Sequence, residues 1–231
     1  MPPIKAVIFD LDGTLVNFKL DYMTVRAEVK RLLISYGFPP SIFSINESVF
    51  EMLKKMEIFM RNSGKNEREI EDIRREVLEI ADKYELEAAR NTSPISGGIE
   101  VLNQLKKMGL KIGLFTINGS KATSHILRSF RLKRFFDAIV TREDVGKVKP
   151  DAMHLEAVLN KLEVKPENTL VVGDSIVDME SARTLGAFAV GVITGLSSPE
   201  ELIKAGAMCI ITSLTDLPRL ITELNKNSNS F

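Results

Sequence analysis

A chain of 231 residues, 44% hydrophobic and 27% charged, has enough apolar material for a sizeable core, either as one large domain or as one domain with an insert. Its 31 basic residues balance its 31 acidic ones, so no overall charge draws it to a polyanion, which argues against nucleic acid as a partner. Cys209 is the single cysteine, which excludes an intrachain disulfide, and no apolar run approaches the length of a membrane span.

The first residues enter an apolar run at once, Ile4 and then Ala6 to Phe9, without the basic region and long apolar segment of a signal peptide. With the lone cysteine, this sets the expectation of a cytoplasmic protein with no membrane partner. The run stops at Asp10-Leu11-Asp12-Gly13-Thr14-Leu15. A short, wholly apolar run bounded by a glycine turn is what a strand covered on both faces requires, because a parallel sheet leaves no solvent face to alternate toward. Asp10 and Asp12 then leave the sheet at its carboxyl edge, where open α/β folds bind ligands.

From Val16 to Asn91 the pattern turns helical. Tyr22, Val25, Val29, Leu32, Leu33 and Tyr36 mark one helix face, ending near Gly37. Val49 to Met60 mark a second, and Ile70 to Ala88 a third. Gly37, Pro39, Pro40 and Gly64 break the block, so a compact bundle is expected in place of a coiled-coil rod. Lys19, Asp21 and Arg26 follow soon after the first turn and face either the site or the solvent.

From Thr92 onward strands and helices alternate, the pattern of a parallel sheet with crossovers. Strands are expected at Leu110 to Phe115, Ala138 to Val140, Leu170 to Val172, Phe188 to Ile193 and Met208 to Ile211. The last helix is expected to end at Leu224. The tail 225–231, rich in Asn and Ser, is expected to be disordered. The predicted fold is therefore α/β, a Rossmann-like parallel sheet core made of 1–15 and 92–224, with an all-helical domain of 16–91 inserted after the first strand.

Polar residues collect at the strand ends. Thr116-Ile117-Asn118-Gly119-Ser120 combines a hydroxyl, an amide and backbone N–H groups entering a helix, either a phosphate cradle or a plain helix cap by Ser120. Lys147 and Lys149 precede Pro150. Gly173-Asp174 closes another strand, and Asp178 lies one helical turn further on, facing the same way. Three or four carboxylates gathered at one sheet edge repel each other, and a hard divalent cation with oxygen ligands relieves that repulsion. Mg²⁺ suits a site that also handles phosphate, and the set points to phosphoryl transfer.

These four motifs, in this order, resemble the haloacid dehalogenase-like superfamily, and within it the phosphatases with a helical cap after the first motif, such as phosphoglycolate phosphatases. The resemblance implies that Asp10 attacks phosphorus to give an aspartyl-phosphate and that Asp12 protonates the leaving oxygen and later activates water. It implies Mg²⁺ held by Asp10, the backbone carbonyl of Asp12 and Asp174, with Asp178 in support. Thr116, Asn118 and Lys149 would bind the phosphoryl group. Lys149 is preferred to Lys147 because Pro150 follows it directly, although Ala152 stands where the family usually has a second proline. The acid at Asp12 favours a phosphatase over a dehalogenase, which has no alkoxide to protonate. The helical cap is expected to exclude water and read the leaving group. Arg26 and Lys19 are open as partners for a substrate carboxylate. The substrate expected is a small phosphorylated metabolite, and the protein a monomer or homodimer. A phosphomutase acting on a sugar phosphate and a non-catalytic phosphate-binding regulator are the competing readings.

Overall fold

The computed structural model describes residues 2–195 and 197–228. Among them a six-stranded parallel sheet runs in the order β3-β2-β1-β4-β5-β6. Its strands are β1 (Ala6–Phe9), β2 (Lys111–Phe115), β3 (Ala138–Val140), β4 (Thr169–Gly173), β5 (Phe188–Val192) and β6 (Cys209–Ile211). The helices are α1 (Tyr22–Ser35), α2 (Val49–Asn62), α3 (Glu67–Arg90), α4 (Gly98–Lys107), α5 (Ser120–Ser129), α6 (Ala152–Leu162), α7 (Ile176–Leu185), α8 (Pro199–Ala205) and α9 (Leu217–Ser228). This is the expected α/β, Rossmann-like architecture.

β1 shows why the opening run lacks alternation. Its four residues are all buried, with Val7 and Phe9 in one core and Ala6 and Ile8 in the other. Burying a Val, Ile or Phe side chain contributes roughly 1.5–3 kcal/mol, so the apolar run favours a central position covered on both faces. One core joins the sheet to α4, α5 and α9, and the other joins it to α6, α7 and α8. In β2 the same division continues, Ile112 and Leu114 against Phe115. A Cβ at Gly113 would crowd Val158, so its absence lets α6 lie close to the sheet.

The chain divides into two compact units, Met1–Phe18 with Ala89–Phe231, and Lys19–Ala88. The sheet unit reaches past Leu15 because Val16 is buried in its core and the Asn17 N–H donates to the Ser93 carbonyl at 2.7 Å. The helical unit has its own core, in which Val25, Val29 and Leu33 of α1 meet Met52, Leu53 and Met56 of α2 and Ile70, Ile73 and Val77 of α3. Their three- and four-residue spacing puts each set on one helix face. Ser48 and Glu51 form a capping box at the start of α2, and Asp21 caps α1 by accepting from the Thr24 N–H at 3.1 Å.

The expectation for the tail needs correction. The final helix continues through Ser228 because Asn225 has a tertiary role: its Oδ1 accepts from the Ile4 N–H at 2.7 Å, tying α9 to the entrance of β1. Residues 229–231 lie outside the described residues. Cys209 is only half-buried, since β6 is an edge strand.

No described helix is long and apolar enough to cross a membrane.

Candidate active site

The strand order creates a crevice. From β1 the chain departs toward β2 on one side of the sheet. From β4 it departs through α7 to β5 on the other, so the carboxyl ends of these two paired strands flank a topological switch point. The β1–β4 ladder extends one step beyond β1, with the Asp10 N–H donating to the Val172 carbonyl at 2.9 Å. Asp10 and Asp174 therefore emerge side by side.

Asp10, Asp174 and Asp178 are all buried, and one carboxylate oxygen from each lies within 4.8 Å of the others. Asp178 belongs to the first turn of α7, where its Oδ2 accepts from the Ser175 N–H and hydroxyl in a capping box. Its other oxygen, Oδ1, is 2.6 Å from the Lys149 ammonium, which is also 2.5 Å from Asp10 Oδ1. Lys147, by contrast, is exposed and pairs with Asp151 at 3.5 Å. Lys149 Nζ lies 3.9 Å from the centroid of the Phe115 ring at the end of β2, a cation–π contact.

The β2 exit brings in the remaining polar groups. Thr116 is fully buried, and its hydroxyl accepts from the Asn118 N–H at 3.2 Å. The Asn118 side chain donates to Asp12 Oδ1 at 2.9 Å, so its amide is aimed at the half-buried second acid. α5 is not capped by Ser120. Its first N–H donates to Glu143 Oε2 at 3.0 Å, a carboxylate supplied by the segment after β3. Beside Glu143, buried Arg142 donates from Nη1 to the Ile117 carbonyl at 3.1 Å. These two braces carry no spacing signal in the sequence. Lys19 is exposed, and the Arg26 guanidinium stacks over Tyr22 at 5.7 Å.

The electrostatics are unbalanced. Burial, reinforced by Asp178 and Asp174, pushes the Asp10 carboxyl up to about 8 against the opposing pull of Lys149. Burial also disfavours the Lys149 charge, but Asp10 and Asp178 more than offset it and hold the ammonium above its usual range. With all three carboxylates ionised, one ammonium leaves two negative charges uncompensated, which one divalent cation removes. An all-oxygen donor set is the hard-ligand chemistry that Mg²⁺ favours. The backbone is shaped around it: a Cβ at Gly13 or Gly195 would overlap the Asp174 carboxylate, and one at Gly173 would overlap Asp178. The residues fit a divalent metal.

The sequence profile of the haloacid dehalogenase-like hydrolases matches residues 7–192, from β1 to the end of β5. The chain belongs to the haloacid dehalogenase-like hydrolases. Within this family it is 29% identical over 220 residues to a phosphoglycolate phosphatase of Nitrosospira multiformis, covering 95% of this chain and 96% of that one. It is 28% identical over 228 residues to pyrophosphatase PpaX of Bacillus mycoides, covering 96% and 99%. Among solved structures it resembles a proposed beta-phosphoglucomutase from Thermotoga maritima, with a TM-score of 0.62, 25% identity and coverage of 96% and 100%. This haloacid dehalogenase-like hydrolase is an enzyme, and its buried acid cluster lies at the ends of the two strands that flank the crevice.

Proposed function

We propose that this hydrolase is a Mg²⁺-dependent phosphatase that cleaves a small phosphomonoester through an aspartyl-phosphate on Asp10. The observation that carries the reading is the bridge formed by the Lys149 ammonium between Asp10 and Asp178, with Asp174 alongside. A buried acid held in place by a buried cation suits a positioned nucleophile with a phosphate-binding partner.

In the first step a carboxylate oxygen of Asp10 attacks phosphorus and the bond to the substrate oxygen breaks. Asp12, oriented by Asn118, gives its proton to that oxygen. In the second step Asp12 takes a proton from water, the water oxygen attacks phosphorus, and the Asp10–phosphorus bond breaks to release phosphate. Lys149 and the Thr116 hydroxyl hold the phosphoryl oxygens, with Asn118 beside them. Asp10, the Asp12 carbonyl and Asp174 hold Mg²⁺, with Asp178 in support. When bound, the ion neutralises charge on the transferring group and on the acids.

Phosphoglycolate leads the candidate phosphomonoesters, since one relative is named a phosphoglycolate phosphatase, and pyrophosphate, a phosphoanhydride, is compared with it because another is named a pyrophosphatase. Phosphate release from these two, from p-nitrophenyl phosphate and from a panel of small phosphomonoesters, with Mg²⁺ and with chelator, tests the reading. Metal-dependent release supports it, and inertness across the panel contradicts it. Phosphomutase chemistry is the second reading, favoured by the structural likeness to the proposed beta-phosphoglucomutase. It predicts that the phosphoryl group passes to a sugar-phosphate hydroxyl faster than to water.

A further inference from the structure

Resting on the phosphatase reading, we propose that His154 is a positioning residue that fixes Lys149 for phosphate binding. His154 lies in the first turn of α6 and is fully buried. Its Nδ1 accepts the backbone N–H of Lys149 at 3.3 Å. Its ring also meets Phe115 edge to face, with centroids 5.7 Å apart and planes at 65°. Phe115 is the ring beneath the Lys149 ammonium. One imidazole therefore contacts both the backbone anchor of Lys149 and the aromatic surface that supports its charged end.

Packing alone does not account for a histidine here. With Nδ1 accepting, the ring proton sits on Nε2, which the Val140 backbone carbonyl at the end of β3 approaches without reaching full hydrogen-bond geometry. A leucine or phenylalanine would fill the space without burying a polar group that is only weakly paired. What the imidazole adds at full hydrogen-bond geometry is the acceptor for Lys149. A lysine has four rotatable side-chain bonds, and its ammonium must reach Asp10 and Asp178 together, so a fixed backbone origin matters to where it ends. Small misplacements of positioned groups are costly in rate even when the residue itself stays outside the chemistry.

The test compares His154→Leu, which removes the acceptor, with His154→Asn, whose Oδ1 restores one near the Nδ1 position. Lys149→Ala serves as control. Turnover of p-nitrophenyl phosphate with Mg²⁺ and calorimetric binding of inorganic phosphate are measured at a temperature where circular dichroism shows every variant folded. Positioning predicts that His154→Leu loses about tenfold in kcat/KM and in phosphate affinity, while His154→Asn returns to within about threefold of wild type. Wild-type kinetics and phosphate affinity in His154→Leu, whatever its melting temperature, overturn the proposal. So does a folded His154→Asn as impaired as His154→Leu. If His154→Leu does not fold, His154→Phe takes its place. If neither apolar variant folds, His154→Asn decides: wild-type kinetics support the role, and a tenfold loss in a folded protein overturns it. Full turnover in Lys149→Ala would remove Lys149 from phosphate binding and the role of His154 with it, whereas a wild type inert towards p-nitrophenyl phosphate and the phosphomonoester panel would overturn the phosphatase reading itself. An inactive Lys149→Ala beside a wild-type-like His154→Leu would remove only the role of His154.

Discussion

The ammonium of Lys149 lies 2.5 Å from Oδ1 of Asp10, an ion pair between residues 139 positions apart, with both partners buried. Removing the lysine charge leaves Asp10 and Asp178 in low dielectric without their cation. Lys149→Met, measured by urea unfolding in chelator at pH 7, is expected to lose about 3 kcal/mol. The loss falls at the lower end for a broken buried pair because the Asp10 carboxyl, pushed up to about 8, already holds its proton for most of the time at pH 7, which leaves Asp178 as the main charge that loses its cation. Unchanged stability would show that the pair contributes little to the fold.

Gly195 carries a prediction about the metal. A Cβ there would overlap the Asp174 carboxylate, so Gly195→Ala displaces a proposed ligand and leaves the ligand's own chemistry intact. The Mg²⁺ concentration giving half-maximal turnover is expected to rise about tenfold or more, in the range that disturbed support of metal ligands produces. An unaltered Mg²⁺ requirement would take Asp174 out of the metal site.

Asp12 is predicted to matter according to the leaving group. An alkyl phosphate releases an alkoxide that needs a proton, whereas p-nitrophenolate leaves as a stable anion. With Asp12→Asn, an initial burst of p-nitrophenol is expected to survive while alkyl phosphates lose about a hundredfold or more. Equal loss of the first step on both substrates would contradict the acid role.

Acid sensitivity follows from Asp137, whose carboxylate accepts from the Ile112 N–H at 2.7 Å and pairs with Lys106 at 2.6 Å. Partial burial opposes its charge, but the Lys106 bond, the Ile112 N–H and nearby Lys111 outweigh that and hold the carboxyl below its usual value. A lowered native value means that the folded state releases the proton more readily than the unfolded chain. The stabilisation is complete above the ordinary Asp range and disappears as pH falls through the lowered native value. Asp137→Asn is expected to cost under about 1 kcal/mol at pH 7, since the side chain is partly exposed, and nothing at strongly acidic pH. A cost that grows on acidification would reverse the assigned sign.

What the sequence revealed depended on how local the signal was. The apolar run Ala6–Phe9 ends in acids, Thr169–Gly173 does the same, and sheet topology brings such ends together, so the convergence of Asp10, Asp174 and Asp178 followed from strand order. Lys149 is harder to read, because in the sequence only the directly following Pro150 tells it from Lys147, and burial then separates them. Arg142, Glu143 and His154 gave no signal, since their partners Ile117, Ser120 and Lys149 are set by how β3 and α6 pack. Residues 225–228, which extend the last helix, gave none for the same reason. Asn225 looked like linker composition, and its bond to Ile4 spans 221 positions.

The central claim is that Asp10 is the nucleophile. Phosphate release by wild type and Asp10→Asn, with Mg²⁺ and with chelator, measures it most directly. The account predicts metal-dependent release in the wild type and a fall of at least about a thousandfold in a folded Asp10→Asn. Substantial turnover by that variant would contradict the aspartyl-phosphate mechanism.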